Sequence, residues 1–288
     1  MRIFVTGGTG FTGSHVVSLF LKNGYLVRCL YRSTSDRSVL PQPEIEWMPG
    51  DVSNAEALSA SMHGTDILIN LVSLGFGHAD SIIRAAKSAR IQRAIFISTT
   101  AIFTGLNTKS KSIRIAAEHA IEISGLQYTI LRPTMIYGSR RDRNMWRLIR
   151  FMHYSSIIPV LGDGAHVYLQ QPIYVEDVAS AVLGCLKSEV TIGKCYNIAG
   201  KYPLTYMEVV DTIAKQMNKR VWKLHIASKS VLSILNFFEQ VRIPFPIKAE
   251  QILRLNENKN FSYEEAQMDF GFNPLSFSDG ISLELGSK

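Results

Sequence analysis

The sequence predicts an α/β fold, a doubly wound parallel sheet with a smaller C-terminal substrate lobe. Short apolar segments alternate with amphipathic helical ones through the first half of the chain, as repeated βα units do. A glycine-rich turn joins the first apolar segment to the first helical one. The chain of 288 residues is long enough for one large α/β domain with a second lobe.

The elements follow from hydrophobic periodicity and stop signals. A strand is predicted over 3–5, a helix over 11–23 that ends at Gly24, and a second strand over 25–31. Later strands are expected near 46–48, 67–72, 94–98 and 128–131, and later helices near 55–62, 79–89 and 113–123. The polar stretch 105–111 is interpreted as a loop. Thr205 and Glu208 have the spacing of a capping box for a further helix.

Composition indicates a globular protein, with 46% hydrophobic and 19% charged residues. The net charge of +7 favours anionic ligands or an anionic surface, but the charges are scattered, so nucleic acid is not expected as a partner. The three cysteines, at positions 29, 185 and 195, lack the spacing of a ligand set. We therefore expect buried free thiols and no metal.

The strand pattern starts within the first residues and leaves no room for a signal peptide. The apolar stretch 231–238 is much shorter than the roughly 20 residues of a spanning helix. These features predict a cytoplasmic protein without a transmembrane segment.

The first strand leads into a glycine-rich turn with the spacing G-x-x-G-x-x-G at 7, 10 and 13. Glycine allows the backbone to bend tightly and to approach a pyrophosphate, and the following helix offers free N–H groups. Strand, turn, helix and strand within about 30 residues predict a Rossmann-type dinucleotide site. The residues expected at this site are Thr6, Gly7, Gly8, Thr9, Gly10, Phe11, Thr12 and Gly13.

The end of the second strand indicates which cofactor is preferred. An acidic residue there would bind the ribose 2′-hydroxyl of NAD(H). The sequence has Arg32 and Ser33 instead. A guanidinium and a hydroxyl suit a 2′-phosphate, so NADP(H) is preferred over NAD(H).

Further motifs resemble the short-chain dehydrogenase/reductase superfamily, in its extended and atypical branches of epimerase/dehydratase-like proteins. The match spans nearly the whole chain. Besides the glycine-rich turn, the motifs are Gly50-Asp51-Val52, Ser98-Thr99-Thr100, Leu131-Arg132-Pro133, Tyr137-Gly138, Tyr174-Val175-Glu176-Asp177-Val178-Ala179, Tyr196-Asn197-Ile198-Ala199-Gly200 and Phe270-Gly271-Phe272-Asn273-Pro274.

The resemblance implies a dinucleotide-binding domain over 1–138 and 173–200 and a substrate-binding lobe over 139–172 and 201–288. It also implies further cofactor contacts along the sheet edge: Asp51 and Val52 near the adenine, Leu71, Val72 and Ser73 beside the cofactor, Ser98 and Thr99 after the fifth strand, and Pro133 and Ile136 on the nicotinamide side. Asp51 could instead cap a turn, and Asp177 is expected to cap the helix that follows it.

Catalytic members of the superfamily carry a tyrosine and a lysine four residues apart, which places the ammonium beside the phenol and lowers its pKa. No tyrosine lies between Tyr31 and Tyr128. If Glu118 aligns with the acidic residue that often follows the lysine, Ser110 and Arg114 replace the pair, and neither preserves its chemistry.

Other side chains could transfer the proton. The candidates for catalysis are Lys109, Lys111 and Tyr137, with His78 as a further candidate near the nicotinamide. The two lysines could equally be surface residues, and the tyrosine a packing residue.

The second lobe contains a basic cluster, with Arg140, Arg143 and Arg147 as candidates to bind substrate and Arg141 and Arg150 beside them. A solvated helix face is the plain alternative. The interleaved Trp146 and Phe151 leave open a contact with a membrane surface.

Two functions remain compatible with these features. One is an NADP(H)-dependent oxidoreductase or epimerase acting on a sugar nucleotide or a similar carbonyl and alcohol pair, with an atypical acid/base. The other is a non-catalytic NAD(P)-binding redox sensor or structural accessory subunit. A small-molecule ligand is expected in both cases, and a homodimer is left open.

Overall fold

The computed structural model describes residues 1–41, 43–142, 144–161, 163–226 and 257–286. Its centre is a seven-stranded parallel sheet. The strands are β1 Arg2–Thr6, β2 Leu26–Tyr31, β3 Ile45–Pro49, β4 Ile67–Asn70, β5 Arg93–Ile97, β6 Gln127–Pro133, β7 Ile136–Tyr137, β8 Ile157–Leu161, β9 Leu169–Gln170, β10 Ile173–Tyr174, β11 Lys194–Ile198, β12 Leu204–Thr205 and β13 Trp222–Ile226.

The strand order in the large sheet is β3-β2-β1-β4-β5-β6-β11. The direction of the chain across the sheet reverses between β1 and β4, which are hydrogen-bonded neighbours. In open α/β sheets a ligand binds in the crevice at the carboxyl ends of the strands beside such a reversal. The fold therefore places a ligand crevice next to the glycine-rich turn that follows β1.

Helices cover both faces of the sheet. They are α1 Phe11–Lys22, α2 Ala55–Met62, α3 Ala79–Ser88, α4 Lys109–Glu122, α5 Met145–Tyr154, α6 Val175–Lys187, α7 Tyr206–Gln216, α8 Glu264–Phe270 and α9 Phe277–Gly286. Apolar side chains of α1 and α6 pack on one face, and those of α2, α3 and α4 on the other. A third apolar cluster joins α5, α7 and α9.

Most predicted elements are present within one or two residues of their expected ends, including α2 over its full predicted range. The capping box is confirmed, because the Thr205 side chain accepts from the Glu208 N–H and Glu208 bonds back to the Thr205 N–H. Cys29 and Cys185 are buried free thiols as expected, while Cys195 is half-buried.

The loop predicted over 105–111 is wrong at its end. Helix α4 starts at Lys109, because the Thr108 side chain accepts from the Lys111 N–H at 3.3 Å and caps the first turn. Lys109, Ser110 and Lys111 are therefore helical.

Asp177 does not cap α6. It lies within the first turn of the helix, and its carboxylate accepts from the Leu275 N–H at 2.9 Å, which ties the C-terminal segment to α6. Ala266 of α8 and Phe272 also join the cluster on α1 and α6. This part of the segment assigned to the second lobe thus packs on the nucleotide-binding core, while the division as a whole stays a prediction.

Across the part of the chain that the structure describes, we find no helix with the length and apolar character needed to cross a membrane. The predicted apolar stretch 231–238 and Arg143 lie outside the described residues.

Candidate functional site

The glycine-rich turn leaves β1 at Thr6 and closes before α1. Gly7 has a φ of +73°, and the Gly10 N–H donates to the Gly7 carbonyl at 3.0 Å. A Cβ on Gly13 would lie 2.1 Å from the Gly7 oxygen, where no side chain fits. The turn therefore requires glycine at 7 and 13.

The first turn of α1 is open to an anion. Its N-cap is Gly10, which provides no side-chain cap, and the turn contains no acidic residue. The N–H groups at this end and the positive end of the helix dipole suit a phosphate. The turn thus fits the pyrophosphate of a dinucleotide.

The neighbouring strand end holds the turn in place. The Leu71 N–H donates to the Thr6 carbonyl at 3.0 Å, and the Thr6 hydroxyl donates to the Asn70 side chain at 2.7 Å. The Asn70 amide in turn donates to the Val72 carbonyl. The strand ends of β1 and β4 are thereby locked together below the crevice.

The residues predicted to contact the cofactor share this edge of the sheet, because each group follows the carboxyl end of a strand. They are Thr6 to Gly13 after β1, Arg32 and Ser33 after β2, Asp51 and Val52 after β3, Leu71, Val72 and Ser73 after β4, Ser98 and Thr99 after β5, and Pro133 and Ile136 at the end of β6 and in β7.

The edge beyond β2 and β3 is polar and exposed. Arg32 and Ser33 are exposed. Asp51 accepts from the Ser53 N–H and hydroxyl, and these bonds, with smaller help from the charge of Arg32, lower the pKa of its carboxyl. Asp51 thus caps a turn, as the alternative interpretation held, and remains ionised beside Arg32.

A buried ion pair lies where β5 and α4 meet. The Arg132 guanidinium donates twice to one oxygen of Glu118, at 2.9 and 2.6 Å, and the Ser98 hydroxyl donates to the other oxygen. The Glu118 side chain is only 5% exposed. Glu118 therefore anchors the strand end to the helix and is fully engaged.

The first two turns of α4 carry Ser110 and Arg114, which replace the usual tyrosine and lysine if Glu118 aligns as expected. The guanidinium of Arg114 packs against Gly75 after β4, 3.1 Å from where a Cβ would stand. The Lys111 ammonium, which is half-buried, donates to the Thr104 carbonyl at 2.5 Å. Lys109 is exposed. Of the two candidate lysines, Lys111 is the one whose ammonium is held by the segment after β5.

Tyr137 does not face the crevice. It is 1% exposed and packs against Tyr174 and Phe277 in the cluster of α5, α7 and α9, with its hydroxyl 2.1 Å from where a Cβ on Gly280 would lie. Burial raises the pKa of its phenol far above the ordinary value. The structure therefore contradicts the catalytic role predicted for Tyr137, since a phenol enclosed by packing cannot pass a proton to a ligand.

The basic cluster divides between two places. Arg140 stacks on Trp146 at 5.5 Å, and with Arg150 it lines a cavity of about 490 Å³ between α5, α7 and α9. Arg147 is exposed on α5 and does not line this cavity. His78 is the N-cap residue of α3, and its charge makes a small contribution to the lowered pKa of Asp51.

Arg141 was not predicted as a site residue, but it reaches the glycine-rich turn. Its guanidinium donates to the Thr9 carbonyl at 2.7 Å and to the Ser14 hydroxyl at 3.1 Å. No local pattern in the sequence connects these positions, which lie more than 120 residues apart.

A parallel sheet of this strand order with a glycine-rich turn at its reversal point defines a Rossmann-type dinucleotide-binding protein. The model of a family described as NAD(P)H-binding matches residues 7–189. The chain belongs to this family, which confirms the resemblance noted from its motifs.

Several relatives extend over almost the whole chain. A mitochondrial NADH dehydrogenase [ubiquinone] 1 alpha subcomplex subunit 9 from Arabidopsis thaliana is 26% identical over 96% of this chain and 72% of its own length. A 3 beta-hydroxysteroid dehydrogenase/Delta 5-->4-isomerase from Mycobacterium tuberculosis is 21% identical over 95% of this chain and 86% of its own.

The same fold occurs in a solved UDP-glucose 4-epimerase from Thermotoga maritima. It superposes with a TM-score of 0.79 and 19% identity, covering 99% of this chain and 97% of the epimerase chain. At this identity the likeness establishes the fold alone.

Proposed function

We propose that the protein is an NADP(H)-dependent oxidoreductase or epimerase that acts on a sugar nucleotide or a similar carbonyl and alcohol pair, with an atypical acid/base. The observation that carries the proposal is the position of Lys111 on the first turn of α4, where its ammonium donates to the Thr104 carbonyl in the segment that follows β5. The nicotinamide, when bound, supplies or accepts the hydride.

The cofactor preference rests on the end of β2. Arg32 and Ser33 are exposed and stand where an acidic residue would otherwise select NAD(H). Asp51 is nearby, and its carboxylate accepts from the N–H and hydroxyl of Ser53 within its own strand end. This arrangement supports a site for the 2′-phosphate of NADP(H).

Lys111 is the candidate acid/base. Its ammonium is held by the Thr104 carbonyl, in the segment that follows β5, and it is half-buried. From this position an ammonium can donate a proton to a substrate oxygen as the hydride arrives, and recover it in the reverse direction. Arg114 stays charged and can only bind and orient.

Substrate would enter from the second lobe. Arg140 lines the cavity between α5, α7 and α9, and Arg147 stands exposed on α5. Together with Arg143 they are candidates for an anionic group of the substrate, such as a diphosphate. The solved epimerase of the same fold is named for UDP-glucose, which belongs to that class of ligand.

The experiment is hydride exchange from NADPH labelled at the nicotinamide C4, across a panel of sugar nucleotides and carbonyl compounds. We expect stereospecific exchange with at least one of them. Replacing Lys111→Met should reduce the exchange by about 10²-fold or more while NADPH still binds. The matched control is Lys215→Met, at an exposed position on α7.

Two results would count against this assignment. If Lys111→Met exchanges as fast as the parent, the lysine is not the acid/base. If Lys109→Met is the variant that loses exchange, the exposed neighbour carries that role instead.

A second candidate function is a non-catalytic NAD(P)-binding redox sensor or accessory subunit. It is favoured by Ser110 and Arg114 in the first two turns of α4, where the usual pair would stand. The plant relative is by its name a subunit of NADH dehydrogenase. Tight NADPH binding with no exchange across the whole panel would support this candidate over the enzyme.

A further inference from the structure

Arg141 belongs to the segment between β7 and α5, but its guanidinium contacts the glycine-rich turn. We propose that Arg141 is a phosphate-binding residue of the dinucleotide site, contributed across the crevice by the second lobe. The inference rests on the proposed cofactor function and names a residue that neither the motifs nor the family pattern assign to it.

The backbone that carries Arg141 is fixed on both sides. The Arg141 N–H donates to the Ser139 hydroxyl at 3.1 Å. The buried carboxylate of Asp142 accepts from the Asn144 N–H at 2.9 Å and from the Trp146 N–H at 3.1 Å, and so caps α5. The side chain therefore extends toward the turn from an ordered base, which reduces the entropy lost when it binds a ligand.

The side chain reaches the site with two bonds. Its two terminal nitrogens donate to the Thr9 carbonyl and to the Ser14 hydroxyl, which are part of the turn and of the first helical residues after it. The residue is nevertheless exposed. A guanidinium has five N–H groups, so several remain available on the open side.

The charge of Arg141 has no carboxylate to neutralise it in an ion pair among the described residues. Its titratable neighbours include His15 of α1 and Asp36 beyond β2. Burial is the main cause of the lowered pKa of His15, and Arg141 adds to it. The pKa of Asp36 is lowered chiefly by Ser38 and to a lesser degree by Arg141.

Two positive features thus converge on one spot, because the guanidinium stands at the uncapped, acid-free N-terminus of α1. The guanidinium and the positive end of the helix dipole repel each other unless an anion lies between them. A phosphate would accept from the helix N–H groups and from the guanidinium at once. Either the pyrophosphate or the 2′-phosphate of the cofactor supplies this chemistry.

The test is equilibrium binding of NADP⁺, NAD⁺ and 2′,5′-ADP to the full chain and to Arg141→Ala, with Arg141→Lys as the conservative variant. Arg220→Ala is the matched control, an exposed cation of the second lobe. We expect Arg141→Ala to weaken binding by about tenfold to a hundredfold and to reduce its salt dependence. Arg141→Lys should recover part of the loss, and Arg220→Ala should change nothing.

The three ligands distinguish the phosphates. Equal losses for NADP⁺ and NAD⁺ identify the pyrophosphate, and a loss confined to NADP⁺ and 2′,5′-ADP identifies the 2′-phosphate. Both outcomes support the inference. If Arg141→Ala lowers the Tm of the ligand-free protein but leaves every affinity and salt slope unchanged, the inference is wrong. Arg141 then only stabilises the packing of its own segment against the glycine-rich turn. If the parent binds none of the ligands, the proposed function fails and the inference fails with it.

Discussion

Arg32 is an exposed side chain just beyond β2, beside the ionised Asp51. The proposed preference for NADP(H) rests on its charge, because a cation attracts the 2′-phosphate and an acid repels it. Replacing Arg32 alone can therefore change the preference between NADPH and NADH without removing dinucleotide binding.

We expect Arg32→Asp to weaken NADPH binding by about tenfold to a hundredfold and to leave NADH binding nearly unchanged. Titrations with both cofactors measure the two affinities, and Arg84→Asp, at an exposed position on α3, controls for net charge. Equal affinities for NADPH and NADH in the parent would remove the basis for the prediction.

At the scale of secondary structure, Glu118 determines how α4 meets the sheet. It joins the strand end at Ser98 to Arg132 of β6 from inside the helix. Arg114 lies one turn and Lys111 two turns before Glu118 in the helix, so the positions of both depend on this attachment.

Replacing Glu118→Gln should destabilise the protein by about 3 kcal/mol, because the largely buried Arg132 would lose its counter-charge. Chemical denaturation measures the change in the free energy of unfolding. Glu122→Gln, at an exposed position on the same helix, should cost less than about 0.5 kcal/mol. Similar values for the two variants would show that the ion pair adds nothing to stability.

Elements whose signals are local could be predicted from the sequence. Gly24 ends α1 near its expected residue, and the apolar spacing from Ala55 predicts α2 over its full length. Helix α4 was predicted to start too late, because the cap at Thr108 outweighs the polar composition of the first turn. Composition alone does not distinguish a capped polar turn from a loop.

The candidate site was predictable where it is built from strand ends. Thr6 to Gly13 and the later sheet-edge residues follow from the βα pattern, since all parallel strands end at one edge. Contacts between distant segments were not predictable. The sequence does not show that Arg141 reaches Thr9, or that Tyr137 turns into a core against Gly280.

On the scale of the whole molecule, the buried carboxyl of Glu284 links stability to pH. Burial, together with neighbouring Asp142, raises its pKa from 4.5 to about 8. The folded state therefore prefers the protonated acid. The stability it contributes is complete below about pH 4.5 and is lost as pH rises through about 8.

Replacing Glu284→Gln should remove this loss, because the amide cannot ionise. We expect the variant to become more stable than the parent by about 1–3 kcal/mol as pH rises from 5 to 9. Denaturation curves at each pH measure it, with Glu264→Gln, an exposed glutamate of α8, as control. A constant difference between variant and parent across this range would contradict the assignment.

Helix α8 and Phe272, near the C-terminal end of the described chain, pack on the core of α1 and α6. This packing determines how the protein unfolds. Neither the cluster around α1 and α6 nor the cluster of α5, α7 and α9 is built from one continuous stretch of chain. A fragment ending at residue 138 would lack α6 and β11, and so would expose the apolar face of α1 and leave β6 as an unpaired edge. The glycine-rich turn is therefore expected to unfold together with α6 and β11, which follow it far along the chain.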